Sequence, residues 1–502
     1  MPVQPARGAF RQTYDAGTPQ IVWRTLIADL ETPVSAMLKL ARQRPNSFLL
    51  ESVEGGDTRG RYSIIGFAPD VIWRCSGNRA EINRQAHLDP DAFELEPQEA
   101  LGSLRKLLAE SRIDLPEDLP PMAAGLVGFM GFDTVRLIER LPTDRPAALG
   151  LPDSLLIRPT VMAIFDAVSD TVTVATPVYP DDVVTAGAAF TGAERRLEDA
   201  VAALGTPLEP EPEPATDQLS PPSPVSNMTP DHYRAMVTRA REYILDGDVF
   251  QVVLAQRFAA SFRLPPFALY RALRRLNPSP FLFYLNLDGV AVVGSSPEIL
   301  VRARDGTVTV RPIAGTRPRG ADRTRDLAYE RELLADPKEC AEHLMLLDLG
   351  RNDVGRVSVP GTVRVTEQMI VERYSHVMHI VSNVEGDLDP RHDGIDALMA
   401  GFPAGTVSGA PKVRALEIID ELESERRGIY AGCVGYFSVN GSMDSCIALR
   451  TAVVKDGTMY VQAGAGIVAD SDPEAEYMET VNKARALFQA AEEAVRFAGG
   501  QG

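Results

Sequence analysis

Two segments of this 502-residue chain each carry glutamates three residues apart: Glu339 and Glu342 in DPKECAEHLMLLDLG, Glu476 and Glu479 in DSDPEAEYMETVNKA. Residues at i and i+3 share a helix face, so each pair can aim two carboxylates at one point. If the two helices converge, only a hard cation such as Mg2+, which prefers oxygen ligands and keeps exchangeable waters, makes the cluster stable. The plain alternative is a solvated charged face, because glutamate is rarely buried unpaired. Apolar neighbours (Leu344 to Leu347, Met478, Val481) argue for partial burial.

Directly before the second pair, VQAGAGIVADSDPEAE places Gly464 and Gly466 after a predicted strand. The spacing resembles a dinucleotide fingerprint. However, the helix starts only at Ser471 or Asp472 with Pro473, and Glu474 and Glu476 in its first turn repel phosphate. The glycines can instead offer backbone N–H groups to a smaller anion such as a carboxylate, or simply make a tight turn. The segment GFPAGTVSGAPKVRALEIID, Gly401 to Asp420, has the glycines, hydroxyls and lysine of a phosphate loop but not its spacing, since Ala410-Pro411 separates Gly409 from Lys412. A helix beginning at Pro411 could still offer N–H donors to an anion. In YSHVMHIVSNV, His379 or His376 can serve as a general base or as a satisfied core histidine. Arg450 sits inside the apolar predicted strand SCIALRTAVV, so it must reach solvent or meet an anion; its planar fork suits a carboxylate. No nucleophile, base and orienter stand in triad order, and no cysteine has an activating context. The combined picture is a metal-assisted site for a small polycarboxylate.

The elements that must position these groups are mixed. A formal charge of -18 opposes general affinity for nucleic acid or an anionic membrane. Cys75, Cys340, Cys433 and Cys446 lie far apart without CxxC spacing, which suggests neither zinc nor a disulfide framework and fits a reducing cytoplasm. The opening MPVQPARGAFRQTYDAG lacks the apolar core of a leader, so a soluble cytoplasmic chain is expected. Gly205 to Pro230, rich in Pro, Glu and Ser, reads as an extended, partly disordered linker. It divides the chain into an N-terminal α+β region, 1–204, the linker, 205–228, and a second region, 229–497. SFLLESVEGGDTRGRYSIIGF reads as a hairpin about Gly55-Gly56-Asp57. Thr229 and Pro230 open a helix, strands fill Val249 to Thr316, a charged helical region spans Asp326 to Leu349, strands follow from Val363 to Gly386 and from Gly432 to Gly464, and a long helix starts at Pro473. Strands interrupted by helices favour an α+β fold over a regular βαβ repeat.

The motifs SSPEILV, RPIAGTRPRG, KECAEHLMLLDLGRNDVGRV, YSHVMHIVS, AGTVSGAPKVRA, GCVGYF and QAGAGIVADSDPEAEYMET occur in this order over about residues 228 to 494. In this they resemble the chorismate-utilising enzymes. LLESVEG, RYSIIG and NPSPFLFYL extend the likeness, in particular to component I chains of anthranilate synthases. The resemblance implies a large antiparallel β-sandwich flanked by helices. It also implies Mg2+ on Glu342 and Glu479 with Glu339 and Glu476 nearby. Gly315, Thr316, Tyr430, Arg450, Lys483 and the Gly464-Ala465-Gly466 backbone would hold chorismate. By the same likeness ammonia adds at ring C2 as the C4 hydroxyl leaves, Glu298 protonates that hydroxyl, and Thr406 belongs to the catalytic set. Elimination of pyruvate then yields anthranilate, the first committed step of tryptophan biosynthesis, and His379 is implied in removal of the C2 proton.

Two positions discriminate among relatives. Isochorismate and salicylate synthases resemble KVVLAR where this chain reads Gln251-Val-Val-Leu-Ala-Gln-Arg257, and Gln251 cannot act as the base that activates water. Many aminodeoxychorismate synthases carry PIKGT, with a nucleophilic lysine where this chain has Ala314. Ammonia is then the remaining nucleophile. No cysteine lies in a GxCxGxQ elbow, so a separate glutamine amidotransferase subunit is expected as partner, in a hetero-oligomer. Leu50, Glu51 and Ser52, with Pro280, Phe281 and Leu282, resemble an L-tryptophan inhibitor pocket, although LLES alone is an ordinary strand. The rival assignments are an aminodeoxychorismate synthase lacking the lysine, a non-catalytic tryptophan-binding regulator, and a nucleotide-binding module. The arginines of RPIAGTRPRG, with Arg323 and Arg325, read either as counter-charges to the glutamates or as a solvated loop.

Overall fold

Two long strands, Thr58–Ser76 and Ser154–Asp166, organise the architecture because each belongs to two sheets. They pair from Tyr62 to Phe67 against Val161 to Asp166, and again from Val71 to Cys75 against Ser154 to Arg158. Between these stretches Pro69 faces Pro159, the register shifts, and Ala68 takes a φ of +53°. Proline has no N–H to continue a ladder, so both strands bend here and change sheet. Thr160 fastens the corner, its hydroxyl donating to the Ala68 carbonyl at 2.6 Å.

The computed structural model describes all residues except 43, 55–57, 143–144, 210–214, 216–219, 288, 375–376 and 500–502, and the side chains of 53, 54, 58 and 59. His376, the predicted Gly55-Gly56-Asp57 turn and most of the predicted linker therefore lie outside the described residues.

Every described ladder is antiparallel. One sheet runs from Gln20–Ile27 through Thr171–Val178 and the two bent strands to Ser47–Glu54, Phe281–Leu287 and Val290–Ser296, then Thr451–Lys455, Thr458–Ile467 and Gln251–Ser261. The other begins at Glu94–Glu99 and Arg79–Asn83, takes the far halves of the bent strands, and continues through Gly125–Met130, Cys433–Ser438 and Met443–Ile447. It goes on through Ile299–Arg304 and Thr307–Val310 to Val377–Asp387, which Ile313–Pro318 and Arg364–Arg373 flank. Side chains from both sheets, among them Phe48, Phe283, Val127, Phe129 and Cys446, form a core between them. Helices including Arg7–Asp15, Ala186–Leu204, Pro266–Leu276 and Pro473–Ala498 cover one outer face; Ala100–Glu110, Pro230–Leu245, Pro337–Gly355 and Lys412–Leu422 cover the other. The α+β class and the helix-flanked antiparallel sandwich are as expected. Among the described residues no helix is long and apolar enough to cross a membrane.

Local differences have physical causes. The charged stretch from Asp326 is two helices, Arg323–Ala335 and Pro337–Gly355, because Asp336 leaves the helical region and its carboxylate caps the second helix. Asp472 rather than Ser471 caps Pro473–Ala498. Pro411 stays extended, and its helix begins at Lys412. The predicted strand through Arg450 is interrupted there: Met443–Ile447 ends, Arg450 adopts a φ of +47°, and Thr451–Lys455 begins in the other sheet. In the predicted linker, Val225 and Ser226 pair with Ala259 and Phe258.

Candidate active site

The predicted site residues meet where the far ends of the two sheets approach. Ile313–Pro318 carries a bulge between Ala314 and Thr316, with Gly315 at φ +71°, a conformation that favours glycine. A Cβ added to Gly315 would lie 3.2 Å from Glu339 Oε2, so the glutamate helix packs on the bulge. The Gly315 carbonyl lies 3.0 Å from His379 Nδ1, and Thr316 Oγ1 lies 3.1 Å from the same nitrogen. A carbonyl only accepts, so Nδ1 carries the proton and Nε2 keeps its lone pair. Burial lowers the His379 pKa, and nearby Arg450 lowers it further, which keeps the imidazole neutral.

Glu298 opens the strand Ile299–Arg304 and is buried. Burial pushes its carboxyl up to about 8, although the Thr406 hydroxyl, donating at 3.3 Å, and the Ile313 N–H both favour the charged form. At neutral pH Glu298 is therefore a protonated acid. Thr406, in the short turn Gly405–Val407, is its nearest side-chain partner.

Arg450 is half-buried, and its hydrogen-bonded partner is Ser279 Oγ, 3.4 Å from Nη1. Among the described residues no carboxylate lies within ion-pair distance of it, and burial lowers its pKa. A guanidinium held this way is a receptor for an anion. Burial pushes the Tyr430 hydroxyl up to about 12, although the Gly464 N–H donates to it. A Cβ on Gly464 would sit 2.8 Å from that hydroxyl, so glycine permits the approach. Lys483 donates to the Gly464 carbonyl at 3.0 Å and pairs with Glu479 at 2.7 Å. Ala465 between the glycines is fully buried.

Lys338 at the head of one glutamate helix reaches Asp470, just before the other, at 3.1 Å. Gln251 Nε2 lies 3.5 Å from Glu342 Oε1 and 2.4 Å from the point a Cβ on Gly466 would occupy, so the glycine strand and Glu342 share one neighbour. Burial and the like charge of Glu339 raise the Glu342 pKa; burial and Glu479 raise that of Glu476. Glu339 is held by Arg317 at 2.9 Å and Glu479 by Lys483. Among the described residues no group of three or more His, Cys, Asp or Glu side chains is gathered closely enough to hold a metal ion. Glu342 and Glu476 remain short of positive partners, and this all-oxygen donor set fits a hard divalent cation.

Among the arginines of RPIAGTRPRG, Arg317 is a counter-charge to a predicted site glutamate, Glu339, whereas Arg311 and Arg319 pair with acids outside that set. Arg317 binds Glu332, Asp336 and Glu339, Arg319 binds Asp326, and Arg311 binds Glu367 and Glu372. Sequence reasoning missed Arg427, which is buried, pairs with Glu423, and donates to the Val407 and Val253 carbonyls at 2.7 Å each. It thereby ties the Thr406 turn to the Gln251 strand, and no local signal in SERRGIY distinguishes it from its neighbour Arg426. Lys412 is buried against Asp353 at 2.9 Å, so it serves packing instead of a phosphate.

The predicted inhibitor residues lie on adjacent strands, with Leu50 opposite Phe283, Glu51 opposite Leu282 and Ser52 opposite Phe281. Together with Pro280 they line a cavity of about 1150 Å³. Glu51 is not free in it, since Arg274 holds both its oxygens at 2.6 and 2.9 Å and Tyr270 donates to one. Pro297, Ile313 and Tyr374 line the same cavity. These are, respectively, the neighbour of Glu298, its backbone donor, and the ring 5.5 Å from that of His379.

The model of the chorismate binding enzyme family matches residues 46–489. Anthranilate synthase component 1 of Cereibacter sphaeroides is 58% identical over 98% of this chain and 98% of its own length. The Pseudomonas putida protein of the same name is 48% identical over 92% of this chain and 93% of its own. The crystal structure of anthranilate synthase component I from Streptococcus pneumoniae TIGR4 superposes with a TM-score of 0.74 at 36% identity, covering 86% of this chain and 92% of that one. This chain belongs to the chorismate-binding enzyme family.

Proposed function

We propose that this chain is the synthase subunit of an anthranilate synthase, a lyase that converts chorismate and ammonia to anthranilate and pyruvate, with ammonia supplied by a separate glutamine amidotransferase subunit. The observation that carries this reading is one site that combines a buried carboxyl, Glu298, held by the Thr406 hydroxyl, an imidazole, His379, whose Nδ1 is fixed by the Gly315 carbonyl, and Arg450, which has no carboxylate partner among the described residues. The names of its relatives support the same assignment.

The roles follow from the geometry. Arg450 takes a substrate carboxylate, while Tyr430, Lys483 and the Gly464–Gly466 strand shape the cradle. Glu342 and Glu479, with Glu339 and Glu476 beside them, would hold Mg2+, which when bound supplies a counter-charge to the ring carboxylate and draws electron density from the ring. Glu298 delivers its proton to the C4 hydroxyl, a poor leaving group until it departs as water. The ammonia lone pair forms the C2–N bond, and the surplus ammonium proton returns, net, to Glu298. His379 Nε2 then accepts the C2 proton as the enolpyruvyl C–O bond breaks, and the ring becomes aromatic. Ala314 and Gln251 support ammonia as nucleophile, since neither can attack the ring or deprotonate water. The four cysteines are unpaired, in keeping with a cytoplasmic enzyme.

The test is purified chain with chorismate, Mg2+ and ammonium at mildly alkaline pH, followed by anthranilate fluorescence. Turnover is expected, and none is expected with glutamine alone or with excess chelator. Chorismate left intact with ammonium and Mg2+ present sinks the reading.

Feedback by L-tryptophan is the second part of the proposal. It is supported by a cavity that reaches the Glu51 strand on one side and the neighbours of Glu298 and His379 on the other. Ser52 faces Gly60, where even a Cβ would lie 2.0 Å from its hydroxyl, so a larger side chain must turn into the cavity. Ser52→Phe is expected to raise the tryptophan concentration for half-inhibition at least about tenfold, the loss of one good contact, while sparing turnover. Unchanged inhibition in a tryptophan titration counts against this pocket.

A further inference from the structure

We propose that Tyr374 is a positioning residue for His379, its ring the wall that sets the plane of the imidazole and favours the cation formed as Nε2 takes the C2 proton. The inference rests on the amination reading above. Tyr374 directly follows the strand Arg364–Arg373 and is 9% exposed. Its ring centroid lies 5.5 Å from that of His379, with the two planes tilted by 59°. Three hydrogen bonds fix the residue. Its N–H donates to the Val377 carbonyl at 2.8 Å, Arg319 Nη1 donates to its carbonyl at 2.5 Å, and its hydroxyl donates to Glu372 Oε2 at 2.8 Å. Arg311 in turn holds both oxygens of Glu372. None of these bonds reaches a group that reacts, so Tyr374 acts through the imidazole it packs against.

The imidazole needs this second support. Nδ1 is tied to the Gly315 carbonyl and lies beside Thr316 Oγ1, but one anchored edge leaves the ring free to tilt about the line from Cβ to that bond. A rigid aromatic neighbour removes the freedom and keeps the Nε2 lone pair on one target. The charge that forms needs support as well. Burial opposes an imidazolium, and so does Arg450; the Gly315 carbonyl and Glu372, the ladder partner of His379, favour it. The other charged groups around the pair are engaged or neutral: Arg311 binds Glu372, Glu339 behind the Gly315 bulge binds Arg317, and Glu298 is protonated. An aromatic ring within about 6 Å of a cation stabilises it without bringing a full charge. A carboxylate in that place, within electrostatic reach of Arg450, would instead claim the arginine meant for the substrate.

The test combines two readouts on the full chain: kcat against pH with chorismate, ammonium and Mg2+, and an NMR titration of 13C-labelled histidine in the free protein. With six histidines in the chain, His379→Gln assigns the signal. Tyr374→Leu is expected to lower kcat about tenfold or more while the chorismate KM stays within about threefold. Without the ring the cation is less favoured, so the His379 midpoint and the acid limb of kcat should both move to lower pH, by about half a unit or more. Tyr374→Phe keeps the ring and should hold kcat within about threefold and the midpoint near wild type. If the leucine variant melts well below wild type, Tyr374→Met repeats the measurement. A purely structural role would lower kcat and the melting temperature together and leave the midpoint unmoved. Wild-type kcat or an unmoved midpoint in Tyr374→Leu, or a midpoint in Tyr374→Phe as low as in Tyr374→Leu, overturns the proposal alone. Absence of anthranilate from the wild-type chain overturns the amination reading, and the assignment of His379 as its base with it.

Discussion

Replacing Glu298 by glutamine is expected to lower kcat for anthranilate formation by about two to four orders of magnitude, the usual weight of one positioned acid, with the chorismate dissociation constant retained. The amide fills the same space and still meets the Thr406 hydroxyl and the Ile313 N–H, but it has no proton to give. The pH dependence carries a second signature. The folded carboxyl keeps its proton to about 8, whereas an unfolded glutamate releases it near 4.3. Between those values the folded state holds one more proton than the unfolded state, so raising the pH costs stability across that window. Wild type should lose up to a few kcal/mol to this group from pH 5 to pH 8, and Glu298→Gln should not. Acid assistance in the wild type likewise declines as pH rises past about 8. Melting curves of both proteins across this range, with single-turnover kinetics, check the two effects. A variant that keeps wild-type turnover, or that shows the same pH-dependent loss of stability, removes Glu298 from its role.

Arg450→Leu is the second large effect, and its two parts have opposite signs. Loss of a charge-assisted, bidentate contact to a carboxylate should raise the chorismate KM by about a hundredfold or more. The same change should leave the free protein as stable or more stable, by roughly 1 to 3 kcal/mol, because a desolvated guanidinium without a carboxylate partner costs folding energy that leucine does not. In the folded chain Arg450 gives up little: its hydrogen bond is a 3.4 Å contact to Ser279. Chorismate titration and thermal melting separate the two. A variant that melts well below wild type with an unchanged KM would show that Arg450 serves the fold instead of the substrate.

The glutamate pairs and the cap at Thr229 were legible because each depends on neighbours within one or two helical turns, whereas the alternative of a tight turn at Gly464 and Gly466 failed, since both lie within the paired strand Thr458–Ile467. Asp336 and Asp472 show the limit of such local cues. Both were readable as capping residues, yet the break at Asp336 was missed because the charged run on either side has no apolar periodicity to lose. Helix Ala186–Leu204 escaped notice for a related reason: much of its buried face is alanine, a weak marker of a hydrophobic stripe. The tryptophan-pocket residues were placed by likeness alone. LLES reads as an ordinary strand until Phe281–Leu287 is laid against it, and that pairing spans more than two hundred residues of chain.

Glu298 marks the boundary most sharply. In SSPEIL it follows a proline, and nothing local says that it is buried or neutral. Burial under distant segments keeps it neutral, against the opposing hydrogen bonds of Thr406, which is 108 residues away, and of Ile313, which arrives from another strand. Arg450 repeats the point: the apolar run predicted an unbroken strand, and the fold instead breaks it there and turns the arginine toward His379. By itself the sequence determined which groups exist, their charges, and which of them share a helix face or a turn, since covalent spacing and backbone preference act over a few residues. Only the tertiary structure decided which groups are stripped of water and which find a partner. Desolvation and pairing depend on long-range sheet register, and they set whether a carboxyl is an acid or an arginine is a receptor.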